Sequence, residues 1–204
     1  MTIYKATQYA LLLIGGLMLN ITTWADDGSM LVGNCVGCHG PKGASLGPAT
    51  PSIGGMNAFT FIKAMEEFRD DERPSTIMRY IAKAYTDEDF QMMADYFAKQ
   101  VFVPHQQAVN AERAERGAKR HQTYCEKCHT ESAYRVQGST ILAGQWMPYL
   151  QFTLNDFYTG TRDIPKNMQN NVQNMVKAHG IESLNDVTHF YGSQVKSKCN
   201  CSAP

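Results

Sequence analysis

The chain has 204 residues, room for one large domain or two small ones, and its 19 Lys and Arg equal its 19 Asp and Glu, so the formal net charge is zero. That balance, with no long run of one sign, excludes a generally basic nucleic-acid binder and an acidic tail. The 43% hydrophobic content is that of a folded chain, and the eleven Met read first as flexible core filler.

In chain order, the first 25 residues (MTIYKATQYALLLIGGLMLNITTWA) read as an export signal: Lys5, an apolar stretch from Ala10 to Ile21, then Thr23-Trp24-Ala25 as a cleavage site. The apolar run is short for a membrane span. Cleavage after Ala25 is expected, leaving Asp26 as the mature N-terminus, no membrane span and a soluble periplasmic protein. Six Cys, at 35, 38, 125, 128, 199 and 201, then sit in an oxidising compartment.

The first chemical signal is NCVGCHG at 34–40, and a second, YCEKCHT, follows at 124–130. Cys35 and Cys125 are 90 residues apart, as are His39 and His129 and Met78 and Met168. Gly55 pairs with Gly144, Phe68 with Phe157 and Arg73 with Arg162 at an offset of 89. Tandem duplication of one small domain explains this register. Between the copies, KQVFVPHQQAVN (99–110) reads as a polar linker around Pro104. The expected division is 26–103 for domain one, 104–198 for domain two and 199–204 for a Cys-containing tail.

The elements read as helical. Met65 lies in an amphipathic run. Thr86-Asp87-Glu88-Asp89 resembles a capping box, and Phe90, Met93, Ala94 and Phe97 follow at the spacing of one helix face. Further helices are expected over 108–124, 147–158 and 183–194. No alternating strand pattern is convincing, so the fold class is all-α, two domains of three to five helices each. Below 100 residues a core alone gives marginal stability; a large apolar cofactor at the centre of each domain would supply the missing buried surface.

A Cys-x-x-Cys-His motif has three readings. A zinc site needs four ligands, which Cys35, Cys38, Cys125 and Cys128 could supply, but the two His and the repeat would then be unexplained. A redox dithiol expects a βαβ surround, and none is visible. In the third reading each pair of thiols forms thioethers to a haem c, and His39 or His129 is the proximal iron ligand. Export, helicity and duplication favour two covalent haems c. A Met is the expected sixth ligand, since thioether ligation raises the reduction potential. Met65, Met92 and Met93 read as core, Met56 is a further candidate, and Met147 and Met175 compete with Met168. Met78 follows a Pro-containing turn in RPSTIMRYI, and Met168 follows DIPKN at the same 39-residue interval from its His, so Met78 and Met168 are the expected axial ligands. His105, His121, His179 and His189 are expected to face solvent.

NCVGCHGPKGASLGPATPSIGGM, STIMRYIAKAYTDEDFQMMADYF, YCEKCHTE and ILAGQWMPYLQ together resemble di-haem class I cytochromes c, over nearly all of 30–195. STIMRYIAKAY is similar to the cytochrome subunit of flavocytochrome c sulfide dehydrogenase, and LAGQ and DYF to the soluble cytochrome c4 proteins. The resemblance implies two tandem class I cytochrome c domains, each wrapped around one haem. It also implies a heterodimer with an FAD-containing subunit that oxidises sulfide, and delivery of electrons to a soluble acceptor cytochrome. The chain itself then carries no substrate site; two one-electron centres drain a two-electron flavin in successive steps. The alternative is a free-standing di-haem shuttle to a terminal oxidase. The resemblance further implies a prolyl carbonyl, that of Pro51, hydrogen-bonded to the His39 imidazole, with Thr140 in the corresponding place of the second domain. The tail KSKCNCSAP departs from the pattern.

Overall fold

The computed structural model describes residues 30–130 and 141–195. The expected export signal, Thr140, and the tail with Cys199 and Cys201 lie outside the described residues. Regular structure among the described residues is entirely helical.

In the first half, α1 (Gly33–His39) is followed by a 3-10 turn at Pro41–Gly43, α2 (Ala58–Arg69), α3 (Met78–Ala82) and α4 (Asp87–Ala98). Asn57 caps α2 by accepting the Thr60 N–H. The capping box forms at α4: Thr86 Oγ1 accepts the Asp89 N–H at 3.2 Å and Asp89 accepts the Thr86 N–H at 2.9 Å. The apolar face expected of α4 is the centre of the core. Phe90, Met93, Ala94 and Phe97 are fully buried and pack with Val32, Ile53, Phe61, Met65 and Ala82. Short α3 leans on α2, and this places half-buried Met78 against the same cluster.

In the second half, α5 (Ala111–Tyr124) starts later than the apolar pattern suggests, because Asn110 caps it through the Arg113 N–H at 2.9 Å. Helix α6 (Met147–Thr159) has Pro148 in its first turn and left-handed Gly160 after its end. Helices α7 (Lys166–His179) and α8 (Glu182–Ser193) complete it. The core is Leu150, Val172, Met175, Val176, Leu184, Val187, Phe190 and Tyr191. Helices α5 and α8 pack backbone to backbone at Gly117, where a Cβ would meet the Asp186 carbonyl oxygen at 2.0 Å and Phe190 Cβ at 2.8 Å. Asp186, itself buried, accepts from Arg116 Nη2 at 2.9 Å and Nε at 3.2 Å and lies near Arg113 and Arg120.

The repeat is visible in three dimensions. Gly55 and Gly144 both have φ of 72° and give their N–H to the closing helix of their own half, to Phe97 O at 2.9 Å and Tyr191 O at 2.8 Å. The Arg73 guanidinium lies 4.5 Å from the Phe68 ring centroid and that of Arg162 4.8 Å from Phe157.

The segment 99–110 is not a free linker. Phe102 is buried, the His105 N–H donates to Gly144 O at 2.8 Å, and the Gln107 amide pairs with Gln145 O and the Met147 N–H. Its polar side chains satisfy backbone groups of the second half, which composition does not reveal.

Gly117→Ala should lower stability by about 1–3 kcal/mol through overpacking of α5 on α8; chemical denaturation followed by helical circular dichroism checks this. In the same assay Asp186→Asn should cost about 2 kcal/mol, since charge-assisted hydrogen bonds to the arginines are weakened.

Candidate functional site

Cys35 and Cys38 are one helical turn apart in α1, so their side chains are neighbours, and His39 ends that helix. Cys35 is half-buried, Cys38 exposed and His39 buried. The chain turns sharply at Gly40, with φ of 72°, where a Cβ would collide with Ala44 O. It then returns so that the Pro51 carbonyl oxygen lies 2.8 Å from His39 Nδ1. A carbonyl can only accept, so Nδ1 carries the proton and Nε2 keeps its lone pair. Burial holds the His39 imidazole below its usual range against the opposing pull of Pro51, so it is neutral at pH 7. A buried neutral imidazole with one nitrogen fixed and the other free is the form that ligates a metal.

The second motif follows α5 as a continuing turn, with the His129 N–H donating to Cys125 O at 2.9 Å. Burial pushes the Cys125 thiol up to about 11. Burial first, and then neighbouring His121, pull His129 down to about 4. His129 Nδ1 is buried with no hydrogen-bond partner among the described residues.

His121 does not face solvent, contrary to the sequence expectation. It is buried, with Nδ1 3.1 Å from the Tyr191 hydroxyl, Nε2 paired with Glu126, and its ring against Phe190 and Tyr191. It lies four residues after Gly117 on the α5 face turned to α8, a spacing that could have signalled burial. His105 is half-buried and stacks on Trp146 at 4.2 Å, and His189 accepts the Asn110 N–H; only His179 is exposed.

Among the Met candidates, Met65, Met93 and Met175 are core. Met147 is wedged against Gly192, where a Cβ would stand 2.5 Å from its sulfur. Met56 packs on the first core. Met78 is the first residue of α3 and Met168 lies in the first turn of α7, both half-buried. Met168 is thus on a helix that Pro165 precedes rather than in a loop.

The two halves meet near these motifs. Ser52 and Gln145 exchange two hydrogen bonds, Trp146 Nε1–H donates to Ser45 O at 3.3 Å, and the Tyr149 N–H donates to Pro48 O at 3.2 Å. A small cleft of about 50 Å³ is lined by Lys63, Glu67 and Glu72 of the first half and Arg162 and Asp163 of the second. Burial and then Arg73 lower the Arg162 guanidinium to about 10, and its buried Nε has no hydrogen-bond partner among the described residues.

No group of three or more His, Cys, Asp or Glu side chains able to hold a metal ion occurs among the described residues, so the four cysteines do not converge on a shared zinc site. Nor is there a βαβ unit there to house a dithiol. Each motif instead stands alone beside its own imidazole, buried His39 with a free Nε2 and half-buried His129 with a buried Nδ1 that has no hydrogen-bond partner among the described residues. These residues fit a covalent haem at each motif. No helix among the described residues is long and apolar enough to cross a membrane.

No family model matches the chain. It is 30% identical over 136 residues to cytochrome c4 of Pseudomonas aeruginosa, spanning 63% of this chain and 68% of that protein. It is 39% identical over 70 residues to the cytochrome subunit of sulfide dehydrogenase of Chlorobaculum tepidum, 34% of this chain and 63% of that one. It is 36% identical over 67 residues to the thiosulfate dehydrogenase electron acceptor of Stutzerimonas stutzeri, 31% of each. The matches to the latter two thus span less than two thirds of those relatives. The crystal structure of reduced recombinant cytochrome c4 from Pseudomonas stutzeri superposes with a TM-score of 0.72 over 84% of this chain and 98% of that one, at 20% identity, which shows the fold. The shared sequence across most of one cytochrome c4, on the fold of another, means that the chain belongs to the cytochrome c4 family: electron-transfer proteins of two tandem class I cytochrome c domains carrying covalent haem c.

Proposed function

We propose that the chain is the di-haem electron-transfer subunit of a periplasmic sulfide dehydrogenase. In this reading Cys35 and Cys38 hold one haem c by thioethers and Cys125 and Cys128 the other. His39 and His129 ligate the irons from one side and Met78 and Met168 from the other. Haem c supplies one-electron chemistry, with iron cycling between Fe(II) and Fe(III). The chain's residues do the rest. His39 presents Nε2 in a fixed orientation because Pro51 holds Nδ1. The apolar cluster behind Met78 excludes water from its side of the site. The observation that carries the reading of the site is that hydrogen bond beside an unshared Cys pair. It supports His39 as the ligand, because Nδ1 is engaged and Nε2 keeps its lone pair.

The partner reading rests on the likeness to the sulfide dehydrogenase cytochrome subunit, with STIMRYIAKAY in support. Electrons would come from an FAD-containing subunit, one at a time, and leave to a soluble cytochrome. Export of the chain by residues 1–25, with Asp26 at the mature N-terminus, places it where such a partner works. We place the domain boundary between Val103 and Pro104, with the docked segment 104–110 belonging to the second domain. A second reading, a free-standing shuttle to a terminal oxidase, is favoured by the sequence match to cytochrome c4 over 68% of that protein.

Purification of the mature protein from its native source separates the two readings. Co-purification at 1:1 with a flavoprotein, and loss of sulfide–cytochrome c reductase activity when this chain is removed, are expected. A haem-only monomer, or activity that persists without this chain, contradicts the subunit role. Met78→Ala and Met168→Ala should each abolish the weak far-red sulfur–iron absorption of one haem and lower its reduction potential. If absorption spectra of both variants kept the full band, the Met assignments would be wrong.

A further inference from the structure

The peptide group between Pro51 and Ser52 is shared by the two halves of the molecule. Its carbonyl accepts from His39 Nδ1–H at 2.8 Å, and its N–H donates to Gln145 Oε1 at 3.0 Å. Gln145 Nε2–H donates back to Ser52 O at 2.9 Å, so the side-chain amide grips Ser52 at both backbone atoms. Gln145 is 2% exposed and Ser52 3%. The Gln145 amide is itself held: Oε1 also accepts the Trp146 N–H at 3.1 Å, and Gln107 Nε2 donates to the Gln145 backbone carbonyl at 2.9 Å. The Ser52 hydroxyl is fixed by the Ser45 N–H at 3.0 Å and by His105 Nε2 at 2.7 Å.

We infer that Gln145, a residue of the second half, is a positioning residue for His39 in the first, acting through the Pro51–Ser52 peptide on the reduction potential of the first-half haem. The inference rests on the reading of His39 as an iron ligand. Its physics is cooperative hydrogen bonding. An amide whose N–H is bonded to a good acceptor carries more negative charge on its oxygen, and is itself the stronger acceptor. The Pro51 oxygen then draws harder on the Nδ1 proton of His39 and makes Nε2 more basic. A more basic ligand favours Fe(III), so the bond from Gln145 lowers the potential. The same grip fixes the peptide plane and therefore the direction from which Pro51 meets the imidazole.

The relay runs one way. At the repeat offset of 89, Gln145 corresponds to Met56 and Ser52 to Ile141, neither of which can reproduce the side-chain contacts. His129 Nδ1 has no partner among the described residues. The side-chain amide that grips Ser52 therefore has no counterpart at the repeat position in the first half, and anything that separates the halves releases the first haem from it.

The test is a redox titration of the full di-haem protein, each haem assigned by NMR, for Gln145→Met, Gln145→Glu and Trp146→Phe. Gln145→Met removes acceptor and donor at nearly constant volume. It should raise the reduction equilibrium constant of the first haem about threefold, about 28 mV at 59 mV per tenfold for one electron, and leave the second unmoved. Gln145→Glu, whose buried carboxyl is held protonated, keeps an acceptor and a donor and should restore the original potential. Trp146→Phe removes the Nε1–H bond to Ser45 O while keeping the backbone N–H on Gln145 Oε1 and an aromatic ring against His105, and should leave the first haem unmoved. An unchanged first potential in folded, fully loaded Gln145→Met, or an equal shift in Trp146→Phe, overturns the relay. Should Gln145→Met fail to fold, Gln145→Asn, whose side chain is one methylene shorter and withdraws the amide from Ser52, takes its place: the first potential should rise in the same direction, and an unchanged value overturns the relay. His39→Ala separates the premise from the relay. If that variant keeps both haems six-coordinate and low-spin, the ligand reading fails; if it loses one while Gln145→Met shifts nothing, only the relay fails.

Discussion

One peptide group, between Pro51 and Ser52, fixes the geometry on which the first half depends. The loop that carries it is drawn tight at Gly43 and Gly54, where backbones approach so closely that a Cβ on Gly43 would stand 2.5 Å from Gly54 N. Ile53 and Gly54 both give their N–H to Gly43 O, which closes the loop under α1. With the loop closed, the Pro51 carbonyl has a single direction, and His39 is buried facing it. The α4 core, through Ile53 and the Gly55 N–H on Phe97 O, and the contact of Ser52 with the second half hold that loop in place.

The duplication is conserved in scaffold and not in surroundings. The glycines at 55 and 144 and the Arg–Phe stacks at 73/68 and 162/157 keep the same roles in both halves. Around the second motif, however, buried His121 and Tyr191 and partly exposed Glu126 form a hydrogen-bonded polar cluster, where an offset of 90 puts Leu31 and Val36 opposite His121 and Glu126. The Tyr191 hydroxyl, its pKa raised by complete burial and by neighbouring Cys125, stays protonated there. Apolar Leu31 and Val36 with the Ser52–Gln145 network behind His39 in the first half, and the His121–Glu126–Tyr191 cluster in the second, give two unlike environments for chemically identical motifs. Hydrogen bonds and polar groups around the ligands set the potential of a bound metal centre. Two centres of unequal potential give electron flow through the chain a direction.

Much of this was legible in the sequence, for reasons that differ by element. The α4 helix and its cap were readable because hydrophobic period and capping are local properties, and Phe90 to Phe97 are buried as their spacing requires. The Cys-x-x-Cys-His pairs were readable because their chemistry needs a fixed short spacing. Three features were not readable. His121 counts as polar in any periodicity, yet three partners satisfy it in the interior. The segment 99–110 has linker composition, but its amides meet backbone groups of a distant loop. Gln145 acts across 93 residues of sequence, and only tertiary structure brings it to Ser52.

The proposed function requires that each half hold its own one-electron centre in its own environment. Potentiometric titration of the mature protein, followed at the visible absorption of reduced haem, tests it most directly. Two one-electron steps at separate midpoint potentials, with equal amplitudes, are predicted. A single step of one-electron amplitude, or a protein with no haem absorption, would contradict it.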